Sequence, residues 1–77
     1  MIIVLFDAAH KGLRPSLMSI QKDYQEIIHT SINAHMAEKT NLEIILVRGD
    51  SIRIRSLEQQ LNTKRGVQSV RLTLISS

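Results

Sequence analysis

The sequence predicts an α+β fold of order strand, helix, strand, strand, helix, strand, and three observations carry that prediction. Ile2–Phe6 is a continuous apolar, β-branched run of strand character. Two segments, from Leu13 and from Ile54, place apolar residues at helical spacings of three and four. Three further segments, from His29, Leu42 and Val70, read as strands, the outer two by alternation with period two.

Each element follows in turn. Ile2–Phe6 reads as a strand buried on both faces, and Asp7–Gly12 as the loop after it. Pro15 suits the first turn of a helix, whose stripe is Leu13, Leu17, Ile20, Tyr24 and Ile27. In the second strand Thr30, Ile32, Ala34 and Met36 take one face, and His29, Ser31, Asn33 and His35 the other. Glu38–Asn41 reads as a hairpin connection in which Asn41 takes a left-handed conformation, and Leu42–Val47 as the third strand, antiparallel to the second. Gly49-Asp50-Ser51 offers oxygen acceptors to a helix carrying Ile54, Leu57 and Leu61 inward, and Gly66 stops it. Val70, Leu72 and Leu74 form a last strand before a polar tail at Ser76-Ser77.

Right-handed crossovers in both strand-helix-strand units give a four-stranded antiparallel sheet with two helices on one face, the ferredoxin-like or ACT-like βαββαβ architecture. The expected order sets the first and last strands in the middle. Ile2, Val4, Phe6 and alternate residues of Leu42–Val47 then face water in a monomer, which predicts a homo-oligomer, a dimer or a tetramer.

Size and composition agree with that expectation. At 77 residues the chain is a single domain, 1–77, and a lone domain of this size is marginally stable. The absence of cysteine excludes disulfides, thiolate zinc sites and thiol nucleophiles, leaving oligomerisation as the stabilising device. The net charge of +3 is modest, and with one Phe and one Tyr there is no platform for stacking bases, so no direct nucleic-acid binding is expected. The apolar opening ends at Asp7, too short to span a membrane, and no leader precedes it, so the expected location is cytoplasmic. No nucleophile elbow, paired carboxylates or phosphate loop is present, and no enzyme is expected.

The polar residues that carry chemistry are few. Of the three histidines, His29 and His35 lie six strand positions apart, about 20 Å, and cannot share an ion within one chain. Asn33 and His35, two apart on one face, can cooperate, with further ligands from Glu38–Asn41 or a neighbouring subunit. The competing reading makes His35 a plain polar residue at a strand edge. Glu43, in a strand near the sheet centre, reads as a structural partner for a basic group or a strand-end amide. The Asp7–Gly12 loop ahead of a helix start is a second place for a small ligand.

Taken together, Ile20-Gln21, the period-two strand containing His35, Leu42-Glu43-Ile44, Arg48-Gly49-Asp50, Lys64-Arg65-Gly66-Val67 and the Leu5-Phe6-Asp7 opening resemble the C-terminal domain of nickel-responsive transcriptional regulators. The resemblance covers nearly the whole chain. It implies an ACT-like, tetramer-forming regulatory domain with one nickel ion per subunit at subunit interfaces. The implied ligands are two strand histidines, a hairpin cysteine and a helix histidine from another subunit. Here those positions hold Asn33, His35, Asn41 and Lys22, so only His35 keeps a metal-ligating residue. The family also carries a ribbon-helix-helix DNA-binding domain ahead of this one, and the present sequence opens on the regulatory domain's first strand.

The expectation is therefore a regulatory or sensor domain whose diverged pocket, lined by Lys22, Asn33, His35 and Asn41, binds a small polar ligand or modulates a full-length regulator as partner. One alternative is a domain binding nickel or another transition metal, with His35 joined by His10 or His29 of another subunit. The other is a purely structural oligomerisation module.

Overall fold

The computed structural model describes residues 1–73, so the expectations for Leu74 and Ser76-Ser77 lie outside the described residues. Its elements are β1 (Ile2–Asp7), α1 (Leu13–Asp23), β2 (Ile28–Ala37), β3 (Thr40–Val47), α2 (Ser51–Asn62) and β4 (Val67–Leu72). All strand pairs are antiparallel and the sheet order is β2-β3-β1-β4. This is the predicted α+β, βαββαβ architecture, but β1 and β3 are central and β4 is an edge. The correction has a topological reason: each right-handed crossover skips one strand, so α1 carries the chain from β1 past β3 to β2, and α2 carries it from β3 past β1 to β4.

Register fixes which side chains meet. On the helix-covered face the rungs run Ser31–Ile45–Ile2–Leu72, Asn33–Glu43–Val4–Val70 and His35–Asn41–Phe6–Val67. Ile2, Val4, Phe6 and Ile45 form the floor of the core, and Leu13, Leu17 and Ile20 of α1 with Ile54, Leu57 and Leu61 of α2 close it. Ile2, Val4 and Phe6 are at most 1% exposed, so they are core and do not face water as the sequence led us to expect. A strand of uniformly apolar residues gives no phase, and the helices cover its even positions. The face without helices carries Ile3, Leu5, Leu42, Ile44 and Leu46, all half-buried, with Ile32 52% exposed.

Three local features differ from the sequence reading. α1 ends at Asp23, and Tyr24 and Ile27, though buried, belong to the following turns, held by Ile27 N donating to Tyr24 O at 3.0 Å. Asn41 lies inside β3 and not in a left-handed turn; a register shift between His35 and Ala37 lets Glu38-Lys39 close the hairpin. α2 ends at Asn62, capped at Thr63, so Gly66 belongs to the turn into β4. Its φ of +92° and the 2.8 Å approach of His10 Cγ to the place of a Cβ reserve that position for glycine. The predicted α2 start holds: Asp50 Oδ1 accepts from Ile52 N at 2.9 Å.

Candidate functional site

Edge strand β2 is where the covered face turns polar. Each rung crosses from apolar residues on β4 and β1 to a polar residue on β2, namely Ser31, Asn33 or His35. These three are exposed, because the helices cover the middle of the sheet and leave its β2 side as an open shelf. Between that shelf and α1 lies a pocket of about 240 Å³ lined by Phe6, Arg14, Leu17, Met18, Gln21, Ser31, Asn33 and Glu43.

Two hydrogen-bonded groups organise the shelf. Asn33 Nδ2 donates to Glu43 Oε1 at 2.9 Å, and Gln21 Nε2 reaches Glu43 Oε2 at 3.4 Å. The carboxylate thus ties α1, β2 and β3 together, a structural role as expected, but its donors are the side-chain amides of Asn33 and Gln21 and not a basic group or a strand-end amide. One rung away, His35 Nδ1 lies 3.0 Å from Asn41 Oδ1. With the amide oxygen as acceptor, Nδ1 carries the proton and the Nε2 lone pair stays available. Asn41 is the one buried polar residue in the described core, at 8% exposure.

The fold brings together Asn33, His35 and Asn41 from the predicted set. Lys22 is exposed on α1 and does not line the pocket with Asn33. The other two histidines sit apart from the shelf: His10 in a shallow depression with Lys11, Gly12, Lys64 and Arg65, and His29 in another with Glu26 and Arg48. The Asp7–Gly12 loop folds on itself, Ala9 N donating to Asp7 Oδ1 at 2.9 Å. Sequence reasoning missed Gln21 and Arg14 as pocket residues. Helical spacings of three and four do place Arg14, Leu17, Met18 and Gln21 on one flank of α1, but which sheet residues that flank meets is set by packing and not by spacing.

Among the described residues, no three His, Cys, Asp or Glu side chains gather closely enough to hold a metal ion. Nor is any helix among them long and apolar enough to cross a membrane.

Residues 1–75 of the sequence match a family model described as the NikR C terminal nickel binding domain. The chain belongs to that family. It is 40% identical over 76 residues to "Putative nickel-responsive regulator 2" of Methanothermobacter thermautotrophicus, covering 99% of this chain and 54% of that protein. It is 34% identical over 74 residues to "Putative nickel-responsive regulator 3" of Methanosarcina mazei, covering 96% and 53%. The chain therefore spans about half the length of the curated relatives it matches. An uncharacterized protein from Thermotoga maritima shares the fold, with a TM-score of 0.79 at 15% identity, over 91% of this chain and 86% of that one.

The name of this NikR family refers to nickel. At the four positions that the family resemblance assigns to ligands stand one imidazole, two amides and an ammonium. Square-planar nickel(II) takes nitrogen and thiolate donors, whereas neutral amides are poor donors and an ammonium repels a dication. Both amides are also already engaged, Asn33 with Glu43 and Asn41 with His35.

Proposed function

We infer that this chain acts as a homo-oligomeric regulatory domain of the NikR C-terminal class in which the metal pocket has diverged to serve a small polar ligand. One observation carries the reading: of Lys22, Asn33, His35 and Asn41, only His35 offers a good metal donor, while the amides are spent on hydrogen bonds. The pocket beside the shelf sets Arg14 among the amides of Gln21 and Asn33 and the Ser31 hydroxyl, a lining that suits a small polar molecule better than a dication. Ligand bound between subunits stabilises the assembly it fits better, and that assembly engages or releases a partner, for which a full-length regulator of the same family is the natural candidate. The half-exposed row of Ile3, Leu5, Leu42, Ile44 and Leu46 supports association through the open sheet face.

A second reading rests on His35 itself. Its Nδ1 contact with Asn41 is the kind of outer hydrogen bond that orients a ligating imidazole, which favours a transition metal completed by histidines of another subunit. Native mass spectrometry of the purified chain, alone and after incubation with nickel, zinc or copper, separates the two. A metal-free oligomer under all conditions is the expected result. A stoichiometric metal adduct replaces the first reading with the second, and a monomer throughout overturns both.

A further inference from the structure

We propose that the ligand of the pocket between α1 and β2 is a small zwitterion with its ammonium and its carboxylate at opposite ends of an apolar spacer, the ammonium held at Glu43 and the carboxylate at Arg14 of the same subunit. This inference rests on the small-ligand reading above and names the chemical class of that ligand.

The first support is that the pocket carries opposite charges at its two ends. Arg14 and Gln21 both line it, and they stand seven residues apart on α1, roughly 10 Å along the helix axis. Gln21 reaches Glu43, Nε2 to Oε2 at 3.4 Å, which sets the carboxylate at the end away from Arg14. Although both charged groups line one cavity, the only salt bridge among the described residues is Arg53–Glu26, so the guanidinium and the carboxylate do not meet. A ligand of one charge is attracted at one end and repelled at the other, whereas a ligand carrying both signs is attracted at each.

The second support is the chemistry of the lining. Each Glu43 oxygen accepts one amide N–H, from Asn33 at 2.9 Å and from Gln21 at 3.4 Å, and a carboxylate has capacity for further donors. With their nitrogens turned to Glu43, both amides leave their carbonyl oxygens open. An ammonium, which has three donors and no acceptor, matches that set of carboxylate and carbonyl oxygens. At the other end the guanidinium presents a planar fork of N–H groups that fits a carboxylate through two hydrogen bonds. Between the ends lie Leu17, Met18 and Phe6, and Leu17 and Phe6 are at most 3% exposed. That stretch has no polar partner to offer and favours methylene groups. A volume of about 240 Å³ confines the ligand to a small molecule.

The test is calorimetric titration of the purified chain, in chelator, with γ-aminobutyrate and ε-aminocaproate, whose charges stand at opposite ends of a shorter and a longer spacer. The controls are hexylamine, hexanoate and norleucine, the last an isomer of ε-aminocaproate with both charged groups at one end. At least one of the two zwitterions is expected to bind once per subunit, at least about tenfold tighter than every control. Arg14→Met should remove its advantage over hexylamine, and Glu43→Gln its advantage over hexanoate, with the circular dichroism spectrum unchanged. Arg14 is exposed, so its variant tests the pocket even where the Glu43 substitution disturbs the fold. Failure of both zwitterions to bind overturns the proposal, as does an Arg14→Met variant that keeps the full advantage. A control that binds as tightly as the zwitterions overturns it too, but leaves the small-ligand reading standing. Stoichiometric metal uptake by the same preparation without chelator overturns that reading and this proposal with it.

Discussion

His35 and Asn41 face each other across β2 and β3, one pair in from the Ala37–Thr40 pair that flanks the hairpin, with Nδ1 and Oδ1 3.0 Å apart. The imidazole is exposed and the amide is 8% exposed, so the pair joins a solvent-facing shelf to the core floor beside Phe6. Removing the amide strands the inner half of this link. Asn41→Ala is expected to destabilise the fold by about 1 to 2 kcal/mol, seen as a lower urea midpoint with an unchanged slope. A change in slope instead would mean that the hairpin, and not one hydrogen bond, had been lost.

The same positions allow a gain-of-function test of the diverged pocket. Installing the implied donors together, as Lys22→His, Asn33→His and Asn41→Cys, leaves the backbone register untouched while replacing an ammonium and two amides with two imidazoles and a thiolate. One nickel ion per subunit is expected in native mass spectra, with a thiolate charge-transfer band on titration. A variant that folds and assembles yet takes up no nickel would show that the pocket's geometry has diverged along with its ligands.

The fold was legible in the sequence because period, punctuation and length agree for nearly every element. Where the reading failed, the residues themselves lacked the deciding information. Ile2–Phe6 is apolar at every position, so only the packed helices distinguish Val4 from Leu5. Strand order was misjudged because crossover handedness does not by itself say which neighbour a crossover skips; the hydrogen-bonded register does. In the site, Asn33 and His35 were found because period two puts them on one face, whereas Gln21 was missed because reaching Glu43 depends on where α1 comes to rest over the sheet.

Gly66 offers a sharper test of the packing between the loop after β1 and the turn into β4. Its carbonyl accepts from Asp7 N at 2.8 Å, and a Cβ there would meet His10 Cγ and Leu13 Cδ2, each at 2.8 Å. Gly66→Ala therefore combines a left-handed backbone penalty with overpacking and is expected to cost about 2 to 3 kcal/mol in chemical unfolding. Gly12→Ala is the control, since its φ of +80° carries the same backbone penalty with nothing within 4 Å of the added carbon. Its smaller loss isolates the contact term.

Arg53 gives the last prediction, because it joins three parts of the α1–β2 connection to α2. Its Cζ lies 4.1 Å from the Tyr24 ring centroid, its Nε donates to Glu26 Oε1 at 2.8 Å, and a terminal guanidinium nitrogen donates to Asp23 O at 3.0 Å. The hydrogen bond from Arg53 holds the Glu26 carboxyl below its ordinary value. A carboxyl depressed in the folded state contributes stability that is complete above its unfolded value and disappears as pH falls through the folded one. The stability gap between wild type and Glu26→Gln should therefore be constant above about pH 5 and close below about pH 4. Because both partners are exposed, at 42% and 54%, added salt should shrink the gap at neutral pH. Arg53→Met should lose more than Glu26→Gln at every pH, since it also removes the stacking on Tyr24 and the bond to the Asp23 carbonyl. Equal losses in the two variants would mean that the stack over Tyr24 contributes nothing measurable.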